Sequence, residues 1–178
     1  MRHLQSTFLA SVLYLLCAST NATVIEYEAT SLGGNTWEYV YTVENDSLAV
    51  DIENFAVFFD LGLYENLAVG SSTPADWDPL VLQPDPLLPD DGLYDALALV
   101  VGIAPGDSLG GFAVQFDFLG SSAPGDQFFE VFDVNFNVLD SGFTEEAETD
   151  TTDPSVPSPG TLLLIALGLL GLRTVRRS

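Results

Sequence analysis

Every basic residue of this chain stands at one of its two extremities. The four are Arg2, Arg173, Arg176 and Arg177, lysine is absent and the one histidine is His3, whereas all 26 acidic residues lie between Glu26 and Asp153. The long middle segment therefore cannot form a side-chain ion pair, and any carboxylate it buries must be held by neutral donors. With a formal net charge of -22, self-repulsion opposes compaction. Composition pulls the other way, because 47% of the 178 residues are hydrophobic and 11% aromatic. Disordered polyanions lack such side chains, so the middle is expected to fold.

The same charge distribution excludes whole classes of function. Nucleic-acid binding needs Lys and Arg to displace phosphate counterions, and docking on an anionic lipid surface needs them too. Between Arg2 and the C-terminal arginines there is no Lys or Arg, and neither His nor Cys occurs after Cys17. That removes Ser-His-Asp and Cys-His catalysis, Schiff-base lysines, imidazole zinc sites and arginine clamps on phosphate. Two-carboxylate hydrolysis survives on paper. With so many acids, though, a suitably spaced pair arises by chance, and the chain is not expected to be an enzyme.

Both ends read as addresses. Residues 1–22 have a short positive start, an apolar stretch from Phe8 to Ala18, and then Thr20-Asn21-Ala22, with small residues three and one before a cut between Ala22 and Thr23. This is the pattern of a secretory signal for the Sec machinery. Cys17 is preceded by Leu15 and Leu16 rather than a small residue, so it does not mark a lipoprotein. At the other end, an acidic linker over 144–155 gives way to Val156-Pro157-Ser158-Pro159-Gly160. A leucine-rich run from Thr161 follows, read as a transmembrane helix over 161–175, and then the terminal arginines. Pro-x-Pro cannot join a helix and stands as an extended peptide beside the membrane. The arginines hold the far end of the helix on the cytoplasmic side. The run is short for a crossing, as about 20 residues are usual.

The tail 156–178 resembles the PEP-CTERM sorting signal, whose family members are substrates of exosortases in Gram-negative bacteria that make exopolysaccharide. The resemblance implies recognition of Pro157, Ser158 and Pro159 by a membrane-embedded cysteine transpeptidase, with Ser158 where the family usually has glutamate. It further implies export, an inner-membrane intermediate, and final display at the cell surface or in the extracellular matrix, as a structural or adhesive partner of exopolysaccharide. Trp37-Glu38-Tyr39-Val40-Tyr41 and the Pro105-to-Phe112 segment are similar, more loosely, to the β-rich ectodomains of some members of that family.

Between the ends, residues 23–143 show period-2 patterning and almost no helical periodicity. In Thr36–Glu44, Trp37, Tyr39, Tyr41 and Val43 share one face and Glu38 and Thr42 the other. Further strands are expected over Ile52–Asp60, Phe112–Phe118 and, broken at Asp133–Asn137, Phe128–Phe143. Weaker ones are expected over 24–29, 66–69, 79–82 and 94–101. Turn residues such as Gly33-Gly34-Asn35 and Pro124-Gly125-Asp126 separate them. Seven to nine short strands so spaced predict an all-β, antiparallel two-sheet sandwich of immunoglobulin-like size, flanked by the signal helix and the C-terminal transmembrane helix.

Two binding features remain as alternatives to a purely structural role. The segment from Asp76 to Asp95 gathers hard-oxygen donors among prolines, with Asp90, Asp91 and Asp95 as the first candidates for calcium, although the spacing is not that of an EF-hand. Trp37, Tyr39 and Tyr41 would be a sugar-stacking platform if they faced solvent rather than the core. The processing expectation is tested by the intact mass of the protein recovered from its native host. The chain should begin at Thr23 and end between Val156 and Gly160, whereas a mass running through Ser178 would make the tail a permanent anchor.

Overall fold

In the computed structural model, residues 23–148 are described. The signal segment, the sorting motif and the expected helices lie outside them. Ten strands run in chain order: β1 (Val24–Gly33), β2 (Thr36–Glu44), β3 (Asn54–Phe59), β4 (Tyr64–Val69), β5 (Trp77–Leu82), β6 (Gly92–Ala98), β7 (Ser108–Phe118), β8 (Phe128–Phe132), β9 (Val138–Phe143) and β10 (Glu145–Glu146). They form two five-stranded sheets, the first in the order β10-β1-β2-β7-β4 and the second in the order β5-β6-β3-β8-β9. No helix occurs among the described residues.

The expected all-antiparallel pairing needs one correction. β10 runs parallel to β1, pairing Glu26 with Glu145 and Tyr27 with Glu146, so the first sheet is mixed. Residues expected to open the linker thus belong to the sandwich. Thr144 is buried, and the backbone N–H of Ala147 donates to the Tyr27 carbonyl at 3.0 Å. Two consecutive glutamates carry no strand signal of their own; pairing with β1 is what orders them.

The strands form because alternate side chains leave water together. On β2, Tyr39, Tyr41 and Val43 point inward; so do Phe55, Val57 and Phe59 on β3, and Phe112, Val114 and Phe116 on β7. The core is predominantly aromatic. Tyr39 stacks on Tyr27 with ring centroids 4.6 Å apart, and its ring meets the Phe116 ring at 86°. Phe112 makes edge-on contacts with Phe55 and with Trp77, at 4.8 and 5.1 Å. Such pairs add about 0.5–1.5 kcal/mol each beyond the area they bury.

Tyrosines bring hydroxyls into that core, and Gln127 gathers several of them. Its amide nitrogen donates to Tyr64 Oη at 2.9 Å and to the Gly125 carbonyl, while its amide oxygen accepts from Tyr41 Oη at 3.3 Å. The hydroxyl of Tyr39 donates to the same Gly125 carbonyl at 3.0 Å. Gln127 is itself fixed by Thr144, whose Oγ1 accepts from the Gln127 N–H at 2.9 Å and whose N–H donates to the Gln127 carbonyl at 2.8 Å. Among the described residues the Tyr94 hydroxyl is buried without a partner.

The buried Glu38, on the outer face of the first sheet beneath the β4–β5 loop, shows how a cation-free sandwich tolerates a covered acid. Its carboxylate accepts from the Ser71 N–H at 2.8 Å, Ser71 Oγ at 2.9 Å and Gln115 Nε2 at 2.9 Å. Burial pushes this carboxyl up, but the hydrogen bonds from Gln115 and Ser71 outweigh it and bring the group below its ordinary range. The β4–β5 loop must come very close to deliver Ser71. A Cβ on Gly70 would stand 2.7 Å from the Ala113 Cβ and 2.8 Å from Glu38 Oε2, so only glycine fits there.

The five tyrosines of the described region (Tyr27, Tyr39, Tyr41, Tyr64 and Tyr94) are all shifted upward, chiefly by burial, which disfavours the phenolate. Because the folded values exceed the unfolded value near 10, this stability is fully present below about pH 10 and is lost as pH rises beyond it. In an ultraviolet titration of the mature protein no phenolate should appear at its ordinary pH. Absorbance should rise only together with alkaline unfolding followed by circular dichroism. A separate early phase would show that a tyrosine is solvated.

Candidate functional site

The outward face of the second sheet carries an apolar row of its own. Across its five strands one ladder row is apolar from edge to edge. Leu82 on β5 stands opposite Leu93 on β6, and Leu93 opposite Phe58 on β3. The Phe58 ring lies 5.6 Å from that of Phe128 on β8. Phe128 pairs with Phe143 on β9, ring to ring at 5.7 Å. With strands about 4.8 Å apart, the row is on the order of 19 Å long. Its ends are open to water, Leu82 being 51% and Phe143 63% exposed. A parallel row four residues along reads Asp78, Leu97, Asn54, Phe132 and Val138.

Between the two lies a more polar row, in which Leu80 faces Asp95, Asp95 faces Ala56, Ala56 faces Glu130 and Glu130 faces Ser141. Asp95 Oδ1 accepts from Asn54 Nδ2 at 2.9 Å. Burial among these apolar neighbours raises the Asp95 carboxyl above its ordinary range, and the Asn54 hydrogen bond only partly offsets this. One apolar row thus runs beside a line of oxygen acceptors, Asp95, Glu130 and Ser141, with a mixed row beyond it. Carboxylates accept hydrogen bonds and donate none, so the face suits a ligand with apolar flats and hydroxyl edges.

The β8–β9 turn beyond Phe132 is pinned by Asp133, whose Oδ1 accepts from the N–H of Asn135 at 2.8 Å and of Asn137 at 2.9 Å. That hold places Phe136 at φ 59°, in the left-handed region that bulky residues avoid, and leaves its ring 65% exposed.

The condition for a sugar-stacking platform on β2, that its aromatics face solvent, is not met. Tyr39 and Tyr41 have no exposed surface, and Trp37 packs in part against the core. The three expected calcium ligands are not brought together either. Asp90 sits in the β5–β6 loop, paired through its backbone with Asp85. Asp91 turns its carboxylate to the Leu61 N–H at 2.8 Å, and Asp95 lies on the outer sheet face. Among the described residues no group of three or more acidic side chains is close enough to hold a metal ion. The sorting residues Val156 to Gly160 and the residue Ala22 of the cleavage site lie outside the described residues, whereas Thr23 leads directly into β1.

No family model matches the chain, and no curated protein does. Among solved structures it is similar to an uncharacterized protein from Nocardia farcinica with an immunoglobulin-like fold, at 15% identity and TM-score 0.49, covering 75% of this chain and 90% of that one. It is similar also to the chitin-binding domain of Chi18aC from Streptomyces coelicolor, at 18% identity and TM-score 0.41, covering 61% and 90%. A third is the cohesin module of a family 33 glycoside hydrolase from Clostridium perfringens, at 12% identity and TM-score 0.44, covering 71% and 98%. The dispersal of Asp90, Asp91 and Asp95 predicts that Asp90→Asn leaves any calcium-induced shift of the thermal midpoint unchanged. Loss of such a shift in the variant would restore Asp90 as a ligand.

Proposed function

We propose that this protein is an exported, non-catalytic surface or matrix protein of the PEP-CTERM kind, whose sandwich holds neutral extracellular polysaccharide on the outer face of its second sheet. The observation that carries the binding role is the edge-to-edge row Leu82, Leu93, Phe58, Phe128 and Phe143 beside the acceptors Asp95 and Glu130. An apolar strip of this length on a chain of net charge -22 marks a contact surface. A pyranose ring offers it a C–H face for the phenylalanines and hydroxyls for the carboxylates. The surplus of carboxylates repels uronate or sulfate polymers, so the polymer is a neutral one.

The sequence at both ends supports the setting. The segment up to Ala22 delivers the chain to the export machinery, and the Val156-to-Gly160 motif presents it to an exosortase before display or release. The structural role and the binding role are then one, since a matrix protein adheres through this face. No metal is required for it.

Retention of the mature protein on an insoluble neutral β-glucan and on a cross-linked polyuronate, at equal ionic strength, tests the assignment. Neutral glucan should retain it and polyuronate should not. Phe128→Ala with Phe143→Ala should lower retention about tenfold or more, since the two rings supply much of the stacking area. The thermal midpoint should fall only modestly and the variant should stay folded, because the ring pairs Phe58–Phe128 and Phe128–Phe143 are lost but the inner core is left intact. Equal retention of the double variant would mean that sugar is bound elsewhere; no retention of either protein on neutral glucan would end the proposal.

A further inference from the structure

The edge of the second sheet carries an inward acid whose partner is set by how the chain begins. β9 pairs Asp140 with Val131, which is fully buried, so the Asp140 side chain is on the inner side of the sheet at its open edge. One carboxylate oxygen accepts from the Ser141 N–H at 2.9 Å, and the other from the backbone nitrogen of Thr23, also at 2.9 Å. Thr23 is 3% exposed and precedes Val24, the first residue of β1, which pairs with Glu44. The bond therefore joins the start of a strand in the first sheet to the edge strand of the second. It links residues 117 apart in the chain.

We propose that removal of residues 1–22 turns this contact into an ion pair, the Thr23 nitrogen becoming the α-ammonium that holds Asp140. The proposal rests on cleavage between Ala22 and Thr23. Hydrolysis of that peptide bond puts a carboxylate on Ala22 and an amine on Thr23, which takes up a proton at neutral pH. The donor stays on the same atom and gains a full charge, and charge-assisted hydrogen bonds are roughly twice as strong as neutral ones. The region that has no Lys, Arg or His thereby acquires one cation. Maturation would then tighten the sandwich at the edge where β1, β9 and β10 meet.

The absence of lysine makes the test specific, because the mature chain has a single primary amine. The protein is taken from its host and its N-terminus is read by mass spectrometry. It is then acetylated with an N-hydroxysuccinimide ester, which restores a neutral amide at Thr23 like that of the precursor. Acetylation should lower the thermal midpoint of the wild type by about 3–6 °C and leave that of Asp140→Asn unmoved. Equal shifts in both proteins, or none in either, would overturn the pair. A chain beginning elsewhere than Thr23 would overturn the cleavage premise instead, so the two failures are distinguishable.

Should Asp140→Asn not fold, the pH dependence of wild-type labelling decides. Burial alone lowers an amine's pKa, whereas a carboxylate partner raises it. The titratable groups on the neighbouring elements, Asp140 on β9, Glu44 on β2 and Glu145 and Glu146 on β10, are all carboxyls. The labelling midpoint should lie above the ordinary α-amino range of about 7.7–8.0, and a midpoint at or below it would overturn the proposal.

Discussion

A carboxylate taken out of water needs a partner, and between Glu26 and Asp153 this chain has no cationic side chain to offer one. The fold meets that constraint with neutral donors. Glu38 takes a serine N–H, a serine hydroxyl and a glutamine amide. Carboxylates that stay at the surface use neutral donors as well: Asp117 takes the Thr36 hydroxyl at 2.6 Å and the Asn66 amide at 2.9 Å, and these contacts hold its carboxyl below the ordinary range. Asp133 is bound by Asn137 and Asn135 and is lowered likewise. These contacts do structural work as well as electrostatic work. Glu38 pins the β4–β5 loop, Asp117 joins the β2 start and the β4 bulge to β7, and Asp133 closes the β8–β9 turn.

The apolar side of the ledger is carried by aromatic rings, and these decide where tyrosine is useful. Tyr39, Tyr41 and Tyr64 span the core and end on Gly125 and Gln127, so each ring fills volume while its hydroxyl fastens the β7–β8 connection. A polyanion has reason to store its polar contacts in uncharged groups. Tyrosine, glutamine and threonine supply them without adding to the repulsion between surface carboxylates.

How much of this was legible beforehand depended on the range of the signal. β2 was legible residue for residue, because alternation over nine positions with flanking turns is local information. The break between β8 and β9 was legible from Asp133–Asn137, whose side chains favour turns. β10 was not, since its order comes from pairing with β1. The outer row of the second sheet was hidden for a related reason. Phe58, Phe128 and Phe143 are far apart in the sequence, and no one strand shows more than one of them on that face. Only the register of five strands lines them up. The aromatic cluster on β2 drew attention instead, and burial explains it. The signal that could have pointed to the outer face is a second apolar residue out of phase, as Phe58 is between Val57 and Phe59, which marks a strand apolar on both sides.

The choice of neutral donors has a consequence for chemical durability. Free sugars carry aldehyde ends that condense with amines, and over long exposure such adducts remove the charge a lysine would bring to a salt bridge. The contacts that secure Glu38, Asp117 and Asp133 are made by amides and hydroxyls, which those aldehydes leave intact. In a sugar-rich setting, the amine open to such adducts in the mature chain would be the α-amine of Thr23, and the bonds that hold the loops would be spared.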